Sequence, residues 1–137
     1  MNRFALCLPI ADRPRSYAFY QAALGLKPVG DEIAEDGIPE PLQFALADDV
    51  NLMLIPTGGF GWVTPGRETA AKDVSECLCS INVASAAEVD AAFERALDHG
   101  AESVSPPTQQ PWGYSATFAD LDGHLWSVGA HKALGQP

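Results

Sequence analysis

The chain has 137 residues, of which 8 are basic and 18 acidic, for a net charge of −10. A length near the commonest domain size buries roughly two-thirds of the unfolded surface, so no disulfide or metal is needed for folding. The acidic balance excludes nucleic acid and anionic membrane surfaces as partners, since both require a basic patch, and no apolar run approaches the ~18 residues of a membrane span.

Phe4 to Ile10 reads as a buried strand. Asp12 offers an N-cap, with Pro14 in the first turn. Tyr17, Tyr20 and Leu24, with Phe19 and Ala23, make an apolar stripe at helical spacing that Gly25 ends. Leu26 to Val29 is a short strand. Gly30 to Pro41 is a loop carrying Asp31, Glu32, Glu35, Asp36 and Glu40, read as solvated or as attracting a cation. Leu42 to Leu46 and Val50 to Ile55 form a hairpin around Asp48-Asp49. Gly58 to Ser75 is a Gly- and Pro-rich connector in which Phe60 and Trp62 either cover a site or bury locally.

The pattern then restarts. Cys77 to Val83 is a strand, and Ser85 and Glu88 have capping-box spacing. Val89, Phe93, Ala96 and Leu97, with Ala92, form the second helical stripe, closed by Gly100. Ser103 to Ser105 is a short strand and Pro106 to Gly113 a Pro-rich loop. Tyr114 to Ala119 and Leu125 to Gly129 flank the turn Asp120-Leu121-Asp122-Gly123. The last few residues are expected to fray. Laying Asp12 on Ser85, an offset of 73, superposes Tyr20 on Phe93, Ala23 on Ala96 and Leu24 on Leu97 without a gap. Each half thus has the order β-α-β-β-β, and a single half would leave a sheet face open. The expected organisation is module one over 3–57, a connector over 58–75 and module two over 76–131.

Two stretches carry a family resemblance. Ile10-Ala11-Asp12, Ala18-Phe19-Tyr20 and Leu24-Gly25-Leu26 resemble the opening signature of the glyoxalase/bleomycin-resistance/extradiol-dioxygenase (vicinal oxygen chelate) superfamily. Phe118-Ala119-Asp120-Leu121-Asp122-Gly123-His124-Leu125-Trp126 resembles its closing turn and strand, with Leu121 where Pro is usual. The resemblance implies an α+β fold of two βαβββ modules forming a curved mixed sheet around a cleft. It also implies four metal-ligand positions, which fall on Ala5, near Asn51, on Leu78 and on Ser127. None supplies a carboxylate or imidazole, so no catalytic metal and no cofactor is expected. His99, His124 and His131 read as surface residues.

Alternation along the strands then assigns the cleft face. It receives Ala5, Cys7 and Pro9, then Asn51, Met53 and Ile55, then Leu78, Ser80 and Asn82, and finally Ser115, Thr117, Leu125 and Ser127. Leu6, Leu8, Ile10, Cys77, Cys79, Ile81, Phe118 and Trp126 are expected in the core. Gln110-Pro111-Trp112-Gly113 resembles a segment of bleomycin-resistance proteins, so Trp112 is either an aromatic wall or a packed turn. Cys7, with no base beside it, reads as a packing residue. The candidate ligand set is Cys7, Asn51, Met53, Ser80, Asn82, Trp112, Ser115, Thr117 and Ser127. The reading is a metal-independent protein that binds a cationic or aromatic small molecule and sequesters a toxic or antibiotic compound. It competes with a glyoxalase-type lyase or isomerase and with an accessory protein lacking a ligand. A homodimer is implied by the resemblance. The absence of a secretory h-region and the odd count of three cysteines point to the cytoplasm.

Overall fold

The computed structural model describes residues 3–131, and the chain divides into two compact units, 1–70 and 71–137. The terminal residues expected to fray, 132–137, and the His131 side chain lie outside the described residues.

The first unit contains β1 (Phe4–Ile10), α1 (Arg13–Leu24), β2 (Lys27–Val29), β3 (Leu42–Ala47), β4 (Val50–Pro56) and α2 (Thr57–Val63). Its sheet has the order β1-β4-β3-β2, with β1 parallel to β4 and the other pairs antiparallel. The Asp12 carboxylate accepts the Arg15 amide at 3.0 Å and starts α1. Gly25, at φ 64°, reverses the chain so that its own amide and that of Leu26 reach the Gln21 and Tyr20 carbonyls. The buried face of α1 presents Phe19, Tyr20 and Ala23 to Leu8, Leu42, Phe44, Leu52 and Leu54. Tyr20 and Phe44 lie 5.8 Å apart between ring centroids, within the range of favourable aromatic pairs.

The second unit contains β5 (Leu78–Asn82), α3 (Ala86–Asp98), β6 (Glu102–Gln110), β7 (Gly113–Ala119) and β8 (Leu125–His131), in the sheet order β5-β8-β7-β6. The pairing repeats that of the first unit: β5 runs parallel to β8 and the rest are antiparallel. Ser85 Oγ accepts the Glu88 amide at 3.2 Å, while Glu88 reaches back to the amide of Ala84 at 2.7 Å. Val89, Phe93 and Ala96 of α3 cover Ala116, Phe118, Trp126 and Val128. The architecture is therefore α+β, with two four-stranded mixed sheets in two βαβββ modules.

Three segments differ from the sequence reading. The Pro-rich stretch after Ser105 is strand rather than loop. β6 is the edge of its sheet, where a proline's missing N–H costs no ladder bond. The register shifts between Ser103 and Ser105 and again between Ser105 and Thr108, across Pro106-Pro107. The start of the connector is the short helix α2 despite three glycines; it packs on β1 and β4, and Gly59 lies close to Ile55. Cys77 precedes β5 and is exposed, and Cys79 and Ile81 are only half-buried, because β5 is an edge strand.

Candidate functional site

In-register neighbours in a sheet share a face, so the pairing defines rows of side chains. In the first sheet Ala5 stands beside Asn51 and Ala45, and Cys7 beside Met53 and Gln43. These residues occupy the face away from α1 and are half-buried or exposed, whereas Leu8, Leu52 and Leu54 on the opposite face are buried. The Asn51 carboxamide donates to Gln43 Oε1 at 3.2 Å, which orients both polar groups on this face. Cys7, Asn51 and Met53 therefore lie together. Gln43 belongs with them and was missed from the sequence, where β3 carried no register.

In the second sheet Ser80, Ser127, Thr117 and Ser105 stand side by side across β5, β8, β7 and β6. The next row is Asn82, Gly129, Ser115 and Thr108. This face is opposite to the one α3 covers, where Phe118 and Trp126 are 1% exposed. All five strand residues chosen from the sequence in this module thus fall in two adjacent rows of neutral hydroxyl and carboxamide groups. Ser105 and Thr108 complete those rows. Alternation alone could not assign them, because the two irregularities in β6 reset its parity. Thr108 Oγ1 donates to the Pro106 carbonyl at 2.9 Å.

The third row of the same face is Leu78, Leu125, Ala119 and Glu102. A recess of about 600 Å³ opens there, with Leu125, Ala119 and Val104 as apolar wall and Lys72, Asp73 and Glu102 as charged wall. Its volume lies within the ~300–1,000 Å³ of small-molecule pockets. Of the residues assigned to the cleft face, Leu125 lines it. Lys72 enters because residues 71–75 cross the end of the hairpin: the Lys72 carbonyl sits where a Cβ on Gly123 would be.

Trp112 lies in the turn between β6 and β7 and is 59% exposed. Just after it, Tyr114 donates its hydroxyl to Asp90 Oδ1 at 2.7 Å, tying β7 to α3. That carboxylate raises the Tyr114 phenol above its ordinary value. Trp62 on α2 is 88% exposed, and Phe60 is half-buried.

The acidic loop of 30–41 does not stand free. Arg13 Nε bonds Asp36 at 3.0 Å, and its Nη1 pairs with Glu40 at 3.1 Å. Arg13 Nη2 also donates to the Ile38 and Pro39 carbonyls. The guanidinium holds the Asp36 carboxyl below the usual carboxylate range.

At the four positions where the resemblance places metal ligands, Ala5 and Asn51 are paired in register, Leu78 pairs with Leu125, and Ser127 with Ser80. Two aliphatic groups, a carboxamide and a hydroxyl bring no negative charge, so this donor set does not fit a divalent ion. Among the described residues no group of three or more His, Cys, Asp or Glu side chains could hold a metal.

The fold is matched by solved structures. A glyoxalase-related enzyme from Fulvimarina pelagi superposes with a TM-score of 0.79 at 23% identity, covering 93% of this chain and 86% of the other. TnmS3, an antibiotic binding protein from Streptomyces sp. CB03234, superposes with a TM-score of 0.63 at 24% identity, covering 93% of each chain. A curated relative, UvrABC system protein C of Rhizobium johnstonii, is 28% identical over 110 residues. That match takes in 74% of this chain and 16% of the relative, so the chain spans about one-sixth of the length of the curated relatives it matches. The sequence profile of the Glyoxalase/Bleomycin resistance protein/Dioxygenase superfamily matches residues 2–128, and the chain belongs to that superfamily.

Proposed function

We propose that this chain is a metal-independent small-molecule binding protein that sequesters a toxic or antibiotic compound. The observation that carries the reading is the neutral character of Ala5 and Asn51 in the first module and of Leu78 and Ser127 in the second, together with the second module's two rows of neutral polar groups and its recess of about 600 Å³. Apolar walls supply affinity, and a few hydrogen-bonding groups fix orientation. Ser80, Asn82, Ser115, Thr117 and Ser127 are the orienting groups of the second module; Cys7, Asn51 and Met53 contribute from the first. Exposed Trp112 offers a face on which a flat or cationic ligand stacks. An antibiotic binding protein among the structural neighbours supports the compatibility of this fold with such a role. The reading includes a homodimer in the cytoplasm, which light scattering and cell fractionation test.

Thermal denaturation against a panel of cationic glycopeptide antibiotics, planar aromatic antibiotics and glutathione adducts tests the ligand. A true ligand at about 100 times its Kd adds about 2.7 kcal/mol to stability, and the melting temperature rises accordingly. A second reading, a glyoxalase-type lyase, is favoured by the structural neighbour described as a glyoxalase-related enzyme. Turnover of a hemithioacetal with added Ni or Zn, or one tightly bound metal per purified chain, would establish that reading and overturn the first.

A further inference from the structure

Asp36 and Gly37 are adjacent and exposed in the turn that the Ile33–Pro39 bridge closes. Separate demands place them there. Gly37 takes φ 80°, a left-handed conformation that disfavours residues with a Cβ. Asp36 supplies the carboxylate that Arg13 grips, Nε to Oδ2 at 3.0 Å and Nη2 to Oδ1 at 3.4 Å. Its Oδ1 also accepts the Ile38 amide at 3.0 Å. Together these demands create an Asp–Gly step, in which glycine puts no side chain between the carboxyl and the next backbone nitrogen.

Such a step can close a ring. The Gly37 nitrogen attacks Asp36 Cγ; an N–C bond forms, a C–O bond breaks, and the carboxyl hydroxyl leaves with the amide proton as water. Water then opens the succinimide at the Asp36 main-chain carbonyl, so the chain runs on through Cγ and the residue becomes isoaspartate. Nothing is oxidised or reduced, and water is the only co-reactant. The contacts around Asp36 oppose the closure. The guanidinium favours the ionised carboxylate, which has no hydroxyl to lose. The bonds from Arg13 and Ile38 fix both carboxylate oxygens. The Gly37 amide donates to the Ala34 carbonyl at 3.0 Å, which restrains the attacking nitrogen. Arg13 is itself held, its side chain 14% exposed and its Nη2 bonded to the Ile38 and Pro39 carbonyls. We propose that Asp36 is a modification site, a backbone position convertible to isoaspartate, and that the Arg13 clasp keeps it closed. Conversion adds one carbon to the main chain and withdraws the carboxylate from Arg13, leaving Glu40 as its ion-pair partner. The loop is then released, and the buried Ile38 and Pro39 are uncovered. The new α-carboxylate is the group esterified by a carboxyl methyltransferase acting on isoaspartate, which is the class of enzyme the modified chain would meet.

The test ages the full chain at neutral pH and follows isoaspartate by peptide mapping and by methyl transfer from an isoaspartyl methyltransferase. A second Asp–Gly step, Asp122–Gly123, lies in the other compact unit and serves as the internal control. Isoaspartate at Asp36 should form at least about 5-fold faster in Arg13→Met than in the native chain, the population change that an exposed ion pair of ordinary strength accounts for. Formation at Asp122 should be unchanged. The urea-denatured native chain should convert at Asp36 as fast as Arg13→Met or faster. Aged Arg13→Met should also gain protease cleavage within residues 30–41. Arg13→Lys keeps the charge and the stem but not the fork; it should accelerate Asp36 by less, and it tests the site even if Arg13→Met unfolds and speeds both steps alike. A rate at Asp36 that Arg13→Lys leaves unchanged or slows, or one that is the same in the native and the denatured chain, would overturn the proposal.

Discussion

Asp120 is 2% exposed, and its carboxylate accepts the amides of Asp122 and His124 at 2.9 Å. Asp120→Ala removes the shared acceptor of two part-buried amides and should cost about 1–3 kcal/mol in urea denaturation, whereas Asp120→Asn retains an acceptor and should cost less. The sequence made this residue legible only as turn chemistry. Arg13 was not legible at all: a basic residue at the start of a helix carries no sign that it will pin a loop more than twenty residues away. Its effect has a defined pH dependence. The Asp36 carboxyl is held below its ordinary 3.8, so the pairing stabilises the fold above that value and the contribution is lost as pH falls through the folded-state value. The melting-temperature difference between the native chain and Asp36→Asn should therefore be constant near neutrality and shrink as pH falls below the ordinary 3.8. An unchanged difference in acid would show that Arg13 is not the cause.

At the scale of elements, local chemistry was readable where it depended on near neighbours. The caps Asp12 and Ser85, the stops Gly25 and Gly100, and the hairpin turns all lie within four residues of what they satisfy. Ser85→Ala should cost about 1 kcal/mol, as loss of an N-cap does, measurable as a lowered urea midpoint. β6 was misread because proline at an interior strand and proline at an edge look the same in a sequence. The edge position, set by β7 pairing with β8 on its other side, made the strand tolerable. Gly123 shows the same dependence on distant chain. Its φ of 88° suits glycine in any setting, but the Lys72 carbonyl leaves no space for a Cβ. Gly123→Ala should thus cost more than the roughly 1 kcal/mol of an ordinary positive-φ replacement, and should also displace residues 71–75 and alter the recess. Equal stability to the native chain would show that this close approach is not maintained.

At the scale of the molecule, a net charge of −10 acts on partners rather than on fold. Binding of a cationic ligand should weaken as ionic strength rises from about 0.01 to about 0.15 M, because the screening length falls from about 30 to about 8 Å; titration calorimetry at the two salt concentrations measures it. Salt-independent binding would place the affinity in apolar contact alone. The repeat of element order, the superfamily and the neutral character of the four positions the resemblance assigns to metal ligands were all determined by the sequence, because each rests on which residue occupies a position in a regular strand or helix. The alignment of Ser105 and Thr108 with Ser127 and Ser115, the clasp of Arg13, the exposure of Cys77 and the recess beside Leu125 were decided only by the tertiary structure. Those features depend on strand register, strand order and the approach of distant segments, and none of these is a property of local periodicity.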